Sequence, residues 1–163
     1  ALEYYDRALR IRLATLGEEH PDTADTYDGT AGVLKAKGAH DEALEMYGKA
    51  LRIRTVTLGA EHPNTAATHS NMGLVLSEKG EYDKALEVYG KALQIQLQKL
   101  GAEHSDTGIT YYNMANAFEA KGDMARGQEH AEKAAAIFAA ALGSRHPNTK
   151  FAEEYAASFA GKQ

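Results

Sequence analysis

The sequence contains no cysteine and no tryptophan, and only three of its 163 residues are prolines. Without cysteine the chain cannot form disulfides, thiolate metal sites or a cysteine nucleophile, and it is compatible with a reducing compartment. Apolar runs are also short: none approaches the roughly 20 residues that a membrane span needs, and no signal peptide is visible. The sequence therefore predicts a cytoplasmic protein that does not interact with membranes.

Positive charge is scarce as well. Eighteen Lys and Arg stand against 23 Asp and Glu, which gives a formal net charge of -5 and a pI near 5.8. Nucleic acids and anionic membranes both require a basic surface, so this balance argues against them as partners. The chain does not begin with Met, and its opening segment recurs inside later repeats. We therefore expect it to be a piece of a longer protein.

Internal repetition dominates what is present, with an unbroken period of 42 residues. The segment ALEYYDRALRI at position 1 returns as ALEMYGKALRI at 43, ALEVYGKALQI at 85 and, in degraded form, GQEHAEKAAAI at 127. A loop follows the same spacing, as LGEEHPDT at 16, LGAEHPNT at 58, LGAEHSDT at 100 and LGSRHPNT at 142. Four copies in one register indicate a repeat protein.

Each repeat predicts two helices separated by the loop. Apolar positions recur at helical spacing up to Leu58, and Gly59 supplies the left-handed residue that ends a helix. Pro63 suits the first turn of the next helix, and either His62 or Asn64 is the residue expected to cap it. The period then gives one array over 1–163, with a half repeat 1–17, complete repeats 20–58, 62–100 and 104–142, and a half repeat 146–163.

A two-helix unit cannot bury its apolar face alone, so neighbouring units must stack. Asn71 to Leu93, NMGLVLSEKGEYDKALEVYGKAL, resembles the tetratricopeptide repeat. The signature positions of that family are matched by Gly73, Gly80, Tyr82, Ala85, Tyr89 and Ala92. A 42-residue unit ending in LGxxHPxT is similar to the variety found in kinesin light chains. The resemblance implies an all-α fold, a right-handed α-solenoid of antiparallel helix pairs with about eight helices.

The loop histidines do not predict a metal site. Zinc ligands converge to about 2 Å from one ion, whereas equivalent residues of adjacent repeats are separated by at least one helix-packing distance of about 8–10 Å. We expect each His to cap or pack its own turn, and no metal or cofactor. No phosphate loop or nucleophile motif is present, so the sequence does not predict an enzyme. The loop histidines are His20, His62, His104 and His146.

Two further groups are expected at the surface. The charged residues of the second repeat are predicted to form a solvated outer face, and these are Glu45, Lys49, Arg52 and Arg54. The other histidines, His40, His69 and His130, are expected on the surface or in the groove. Gly48 and Gly90 interrupt helices, where glycine is unfavourable, and we predict that both lie on exposed surface and that neither is needed for close packing.

The resemblance implies that the first helix of each pair lines a concave groove that binds a peptide. The candidate residues are Ser70, Asn71, Leu74, Tyr112, Asn113 and Asn116. Amide side chains can donate to and accept from an extended backbone. The groove positions carry no Lys or Arg, and the flanking acids are Asp25, Asp28, Glu78 and Glu119. These features favour a segment of neutral or basic balance. Alternatively, Asn71 and Asn113 only bond neighbouring helices.

Taken with the resemblance, the sequence predicts a protein–protein interaction scaffold or adaptor whose partner is a protein or peptide segment. The alternative is a structural role, in which the array is a spacer that associates end to end with other copies and has no specific peptide ligand.

Overall fold

The computed structural model describes residues 2–161 and places eight α-helices and one short 3-10 helix in them. The predicted all-α solenoid is confirmed, and the helices recur with the 42-residue period. Their bounds are α1 Leu2–Thr15, α2 Pro21–Ala36, α3 His40–Thr57, α4 Pro63–Glu78, α5 Tyr82–Lys99, α6 Ser105–Ala120, α7 Met124–Leu142 and α8 Pro147–Ser158, followed by the 3-10 helix Phe159–Gly161.

The helices form two layers. Each one packs on its neighbours in the chain, and α2 contacts α4 while α4 contacts α6. Among residues 2–161, α3, α5 and α7 have no comparable contacts with one another. Helices α2, α4 and α6 are therefore closer together than α3, α5 and α7. We call the even-numbered helices the inner layer and the odd-numbered helices the outer layer.

The repeated loop is held by hydrogen bonds within itself. In the second loop, His62 is the N-cap of α4, and its Nδ1 accepts a hydrogen bond from the backbone N–H of Asn64 at 3.1 Å. Gly59 has a φ of +101°, a left-handed conformation that L side chains rarely adopt. The buried Thr65 donates its hydroxyl to the carbonyl of Gly59 at 2.9 Å.

The other three loops repeat this arrangement. Each His accepts from the N–H two residues on at 3.1–3.2 Å, and each Thr bonds the loop glycine at 2.9 Å. Of the two capping candidates, the histidine is the one used. Within residues 2–161, no group of three or more His, Asp or Glu side chains could hold a metal ion. None of the helices in this range has the length and apolar character needed to cross a membrane.

The core consists of small residues facing large ones. Ala43, Ala50, Ala85 and Ala92 are fully buried, and Tyr89 is 1% exposed. The ring of Tyr89 packs directly on Gly73, because a Cβ built there would lie 2.4 Å from Tyr89 Cε1. The absence of a side chain at Gly73 therefore makes room for the ring. A Cβ at Gly48 or Gly90 would meet nothing within 4 Å, as predicted, but both residues are half-buried and not exposed.

The degraded fourth repeat is compensated from the other side. Ala131 stands where earlier repeats have a core tyrosine, and Phe159 fills that space with no exposed surface, beside Ala115 and Ala131. A Cβ at Gly127 would lie 2.8 Å from the Phe159 ring, so glycine replaces the signature alanine to admit the ring. The loss of one aromatic residue and the gain of another preserve the core at this end of the array.

Candidate functional site

Five of the six predicted groove residues line two depressions on the part of the inner layer within residues 2–161, and Tyr112 lines neither. Leu74, Asn113 and Asn116 line one of about 270 Å³, where α4 and α6 meet the start of α5. Ser70 and Asn71 line a second of about 170 Å³, beside the first turns of α6. The two asparagines one repeat apart therefore lie at different openings on the same face.

The amides of Asn71 and Asn113 are available for a ligand. Both residues are half-buried, and neither forms a side-chain hydrogen bond with any residue in 2–161. The alternative that they only bond neighbouring helices is therefore not observed. Asn116 differs, because its Nδ2 donates to the backbone carbonyl of Tyr112 at 3.1 Å. The hydroxyl of Ser70 lies 3.3 Å from that of Thr110.

Tyr112 belongs to an aromatic cluster on the inner face. Its ring centroid lies 5.9 Å from that of Phe151 and 5.2 Å from that of Tyr155. Phe151 is 59% exposed, so the cluster presents an aromatic surface to solvent. Phe151 and Tyr155 occupy groove positions of the last half repeat, which is the sequence signal that could have identified them.

Arg54 is the main residue that the sequence analysis placed wrongly. It was expected on the outer face, yet it is 7% exposed, and it bonds Asp28 at 2.9 Å, Asp25 at 2.8 Å and Thr68 at 2.6 Å. Burial raises the pKa of Asp28, and Arg54 opposes that shift. Two of the four flanking acids therefore share the single positive charge of Arg54. Arg52, in contrast, is exposed and pairs with Glu18 and Glu19 at the surface.

The other two flanking acids are also engaged. Glu78 lies 3.6 Å from Lys35 and 3.2 Å from His40. Glu119 accepts the hydroxyl of Tyr155 at 2.8 Å, and burial together with this bond raises the pKa of Tyr155 above its usual range. All four flanking acids, Asp25, Asp28, Glu78 and Glu119, therefore have side-chain partners.

Two histidines assigned to the surface or groove are half-buried. Burial lowers the pKa of His69, with a smaller effect of Lys91, and its Nδ1 is buried without a hydrogen-bond partner. Burial also lowers the pKa of His130, whose ring packs against Phe118 with 4.9 Å between centroids. Burial therefore disfavours the charged form of both side chains.

Comparison with known proteins agrees with this architecture. The family model described as tetratricopeptide repeat matches residues 1–55 and 31–98. A crystal structure of nearly identical TPR-like repeats attributed to a kinesin light chain of Podosopora anserina is 26% identical, with a TM-score of 0.81, and the match covers 99% of this chain and 78% of that one. A point variant of that protein gives a TM-score of 0.82 with the same identity and coverage.

A more distant structure supports the fold alone. BtubC (BKLC) from P. vanneervenii is 20% identical with a TM-score of 0.73, and the match covers 97% of this chain and 71% of that one. A comparison with curated protein sequences finds no match.

Proposed function

Since the chain belongs to the tetratricopeptide repeat family, we propose that it is an adaptor that binds an extended segment of a partner protein on the inner layer, in a kinesin-light-chain-like manner. The family match and the kinesin-light-chain neighbours support a protein-interaction scaffold as the general function. The observation that carries the specific proposal is the pair of unbonded, half-buried amides of Asn71 and Asn113 in equivalent positions one repeat apart.

The two amides suit the backbone of an extended segment. Each presents one acceptor and two donors, which matches the alternating carbonyl and N–H groups of a peptide. Leu74 and the exposed ring of Phe151 add apolar surface for anchoring side chains. The groove positions contribute no Lys or Arg, and the neighbouring acids are paired, so the favoured segment is neutral or basic.

Replacement of both asparagines tests the proposal. Each amide–backbone hydrogen bond is worth about 0.5–1.5 kcal/mol net, so Asn71→Ala/Asn113→Ala should weaken binding about 5- to 100-fold. Ligands are first selected from an unbiased peptide library, and their affinities for both proteins are then measured by calorimetry. Gln94→Ala is the matched control, because it removes an exposed amide from the outer-layer helix α5.

Circular dichroism must show that the double variant keeps its helicity. Selection of mainly acidic peptides, or equal affinity of the double variant and the parent, would remove the support for this groove.

A second function is favoured by a different observation. Helix α1 has no buried residues, and it exposes Tyr4 at 81% and Ile11 at 56%. A second copy of the chain could cover this face, which would make the array a self-associating spacer. Light scattering over a concentration series distinguishes the two functions, because the adaptor is expected to remain a monomer and the spacer to grow in mass.

A further inference from the structure

One repeat position changes its chemistry along the array. It lies near the C-terminal end of each outer-layer helix, and its side chain reaches the first turns of the next inner-layer helix. The residues at this position, 42 apart, are Arg12, Arg54, Gln96 and Phe138.

The two arginines show what this position binds. Nη1 of Arg54 donates to the hydroxyl of Thr68 and lies 3.4 Å from the backbone carbonyl of Asn64. Nη1 of Arg12 makes the equivalent bonds, to the hydroxyl of Thr26 and the carbonyl of Asp22. Equivalent threonine hydroxyls and backbone carbonyls in two repeats therefore each bind a guanidinium. Arg12 has no side-chain hydrogen bond to a carboxylate among residues 2–161, so the site holds the cation without a direct ion pair.

In the third repeat the guanidinium is missing and its space is open. Gln96 is shorter than arginine, and Ala67 and Ser70 stand 42 residues after Asp25 and Asp28, the acids that bind Arg54. These smaller side chains leave the depression of about 170 Å³, enough for several waters or one planar group. Its walls include Ala67, Ser70, Asn71, Gln96, Asp106 and Thr110.

The buried amide of Gln96 in this pocket lacks a partner among residues 2–161. Gln96 is 4% exposed, its Oε1 is buried without a hydrogen bond, and no residue in 2–161 bonds its amide nitrogen. Buried polar atoms are nearly always satisfied, so this orphan acceptor needs a donor. The hydroxyl of Thr110 contacts that of Ser70 at 3.3 Å, whereas Thr26 and Thr68 bond the carbonyl four residues earlier.

We propose that this pocket, which we call the Gln96 pocket, binds the guanidinium of an arginine side chain supplied by the partner. The proposal rests on the proposed function and names the side chain that the bound segment presents. Gln96 Oε1 and the hydroxyls of Ser70 and Thr110 accept hydrogen bonds, and the carboxylate of Asp106 supplies negative charge. Asp106 occupies the position that the neutral Asn64 has one repeat earlier. This pocket therefore has an acidic residue in the first turn of helix α6.

Arginine fits better than lysine, because a planar fork of donors suits acceptors that lie on several sides of the pocket. The two intramolecular arginines already show this geometry in the same protein. Phe138 closes the equivalent space in the fourth repeat with a buried ring. The array therefore offers one open pocket of this type among residues 2–161.

The test uses a capped amino acid, so it does not depend on a groove peptide. The full chain, labelled with ¹⁵N, is titrated with Nα-acetyl-arginine methylamide, and the citrulline and lysine analogues are titrated in parallel. The side-chain NH₂ signal of Gln96 should shift and saturate with the arginine probe. Citrulline should bind about 5-fold more weakly, since hydrogen bonds from a charged donor are stronger.

Two variants locate the binding. Ser70→Asp/Gln96→Arg rebuilds the intramolecular pair of the second repeat and should abolish the saturable shift. Asp106→Asn should weaken arginine binding several-fold, whereas Glu103→Gln, which removes an exposed charge from the same loop region, should not. Equal affinity for citrulline, no saturable shift at Gln96, or equal effects of the Asp106 and Glu103 variants would overturn the proposal.

Failure of this proposal and failure of the groove give different results. If arginine binds the Gln96 pocket but Asn113→Ala leaves peptide affinity unchanged, the pocket stands and the extended groove does not. If selected peptides depend on Asn113 but bind Ser70→Asp/Gln96→Arg as tightly as the parent, the groove stands and the pocket does not.

Discussion

The same substitution should have opposite effects at two helical glycines. Gly90 lies in α5, and a Cβ there would meet no atom within 4 Å. Gly73 lies in α4, and a Cβ there would lie 2.4 Å from the ring of Tyr89, which is 1% exposed. Alanine removes the entropic cost of glycine at both sites, but only Gly73→Ala introduces a steric conflict.

The sizes of the propensity gain and the steric cost decide whether each substitution raises or lowers Tm. Glycine in a helix interior costs about 0.5–1 kcal/mol relative to alanine. For a chain of this size, 1 kcal/mol shifts Tm by about 2–4 °C, so Gly90→Ala should raise Tm by about 1–4 °C. Overpacking a core costs about 1–3 kcal/mol, which exceeds the propensity gain. Gly73→Ala should therefore lower Tm by several degrees.

Urea and thermal unfolding followed by circular dichroism measure both effects. Gly48 is the control, because it precedes Gly90 by one repeat and is equally open. Gly48→Ala should match Gly90→Ala, and the double variant should show the sum, since the sites do not share a partner. A Gly73→Ala protein as stable as Gly90→Ala would show that the Tyr89 ring moves freely, and the packing argument would be wrong.

Three other measurements test the loops, the buried histidines and the ends. Thr65→Val should cost about 0.5–1.5 kcal/mol by removing the bond to Gly59, whereas the exposed Thr55→Val should be nearly neutral; equal urea midpoints would contradict this. Because burial lowers the folded pKa of His69 and His130 below their ordinary 6.5, the unfolded state binds protons first as pH falls. The contribution of these histidines to the free energy of unfolding should therefore be complete above pH 6.5 and be lost as pH falls below it. His69→Tyr should reduce the difference between the urea midpoints measured at pH 7.5 and pH 5. An unchanged difference would count against a role for this histidine. Hydrogen exchange should be fastest in α1, which has no buried residues, and slower in α8; equal rates would contradict this.

Helix positions followed from the sequence because their ends have strong local signals. The positive φ of Gly59 and the place of Pro63 in the first helical turn each depend on the residue type alone. The 42-residue period then predicts the helix ends in the other repeats. The hydroxyl of Thr65 was missed, because its bond to the Gly59 carbonyl depends on the folded path of the loop. A threonine at a fixed offset from the glycine in all four loops was the available signal.

The charges on the inner face could not be predicted from helix register alone. Arg54 belongs to an outer-layer helix, but its long side chain reaches Asp25 and Asp28 on the inner-layer helix of the same repeat. The equivalent Phe138 is apolar, which indicated that the position is buried. The contacts of Tyr112 with Phe151 and Tyr155 could not be predicted either, because they depend on how the last half repeat packs.

Because the hydrogen bonds of each loop lie within that loop, a gene that encodes this repeat array can change length by whole repeats. Each His and each Thr bonds within its own eight-residue segment, so a loop does not need a particular neighbour to form. Unequal recombination between two equivalent loops would delete or duplicate a 42-residue segment and leave an intact loop at the junction. The solenoid can therefore gain or lose repeats through single genetic events, and pockets such as that at Gln96 can be copied or removed with them.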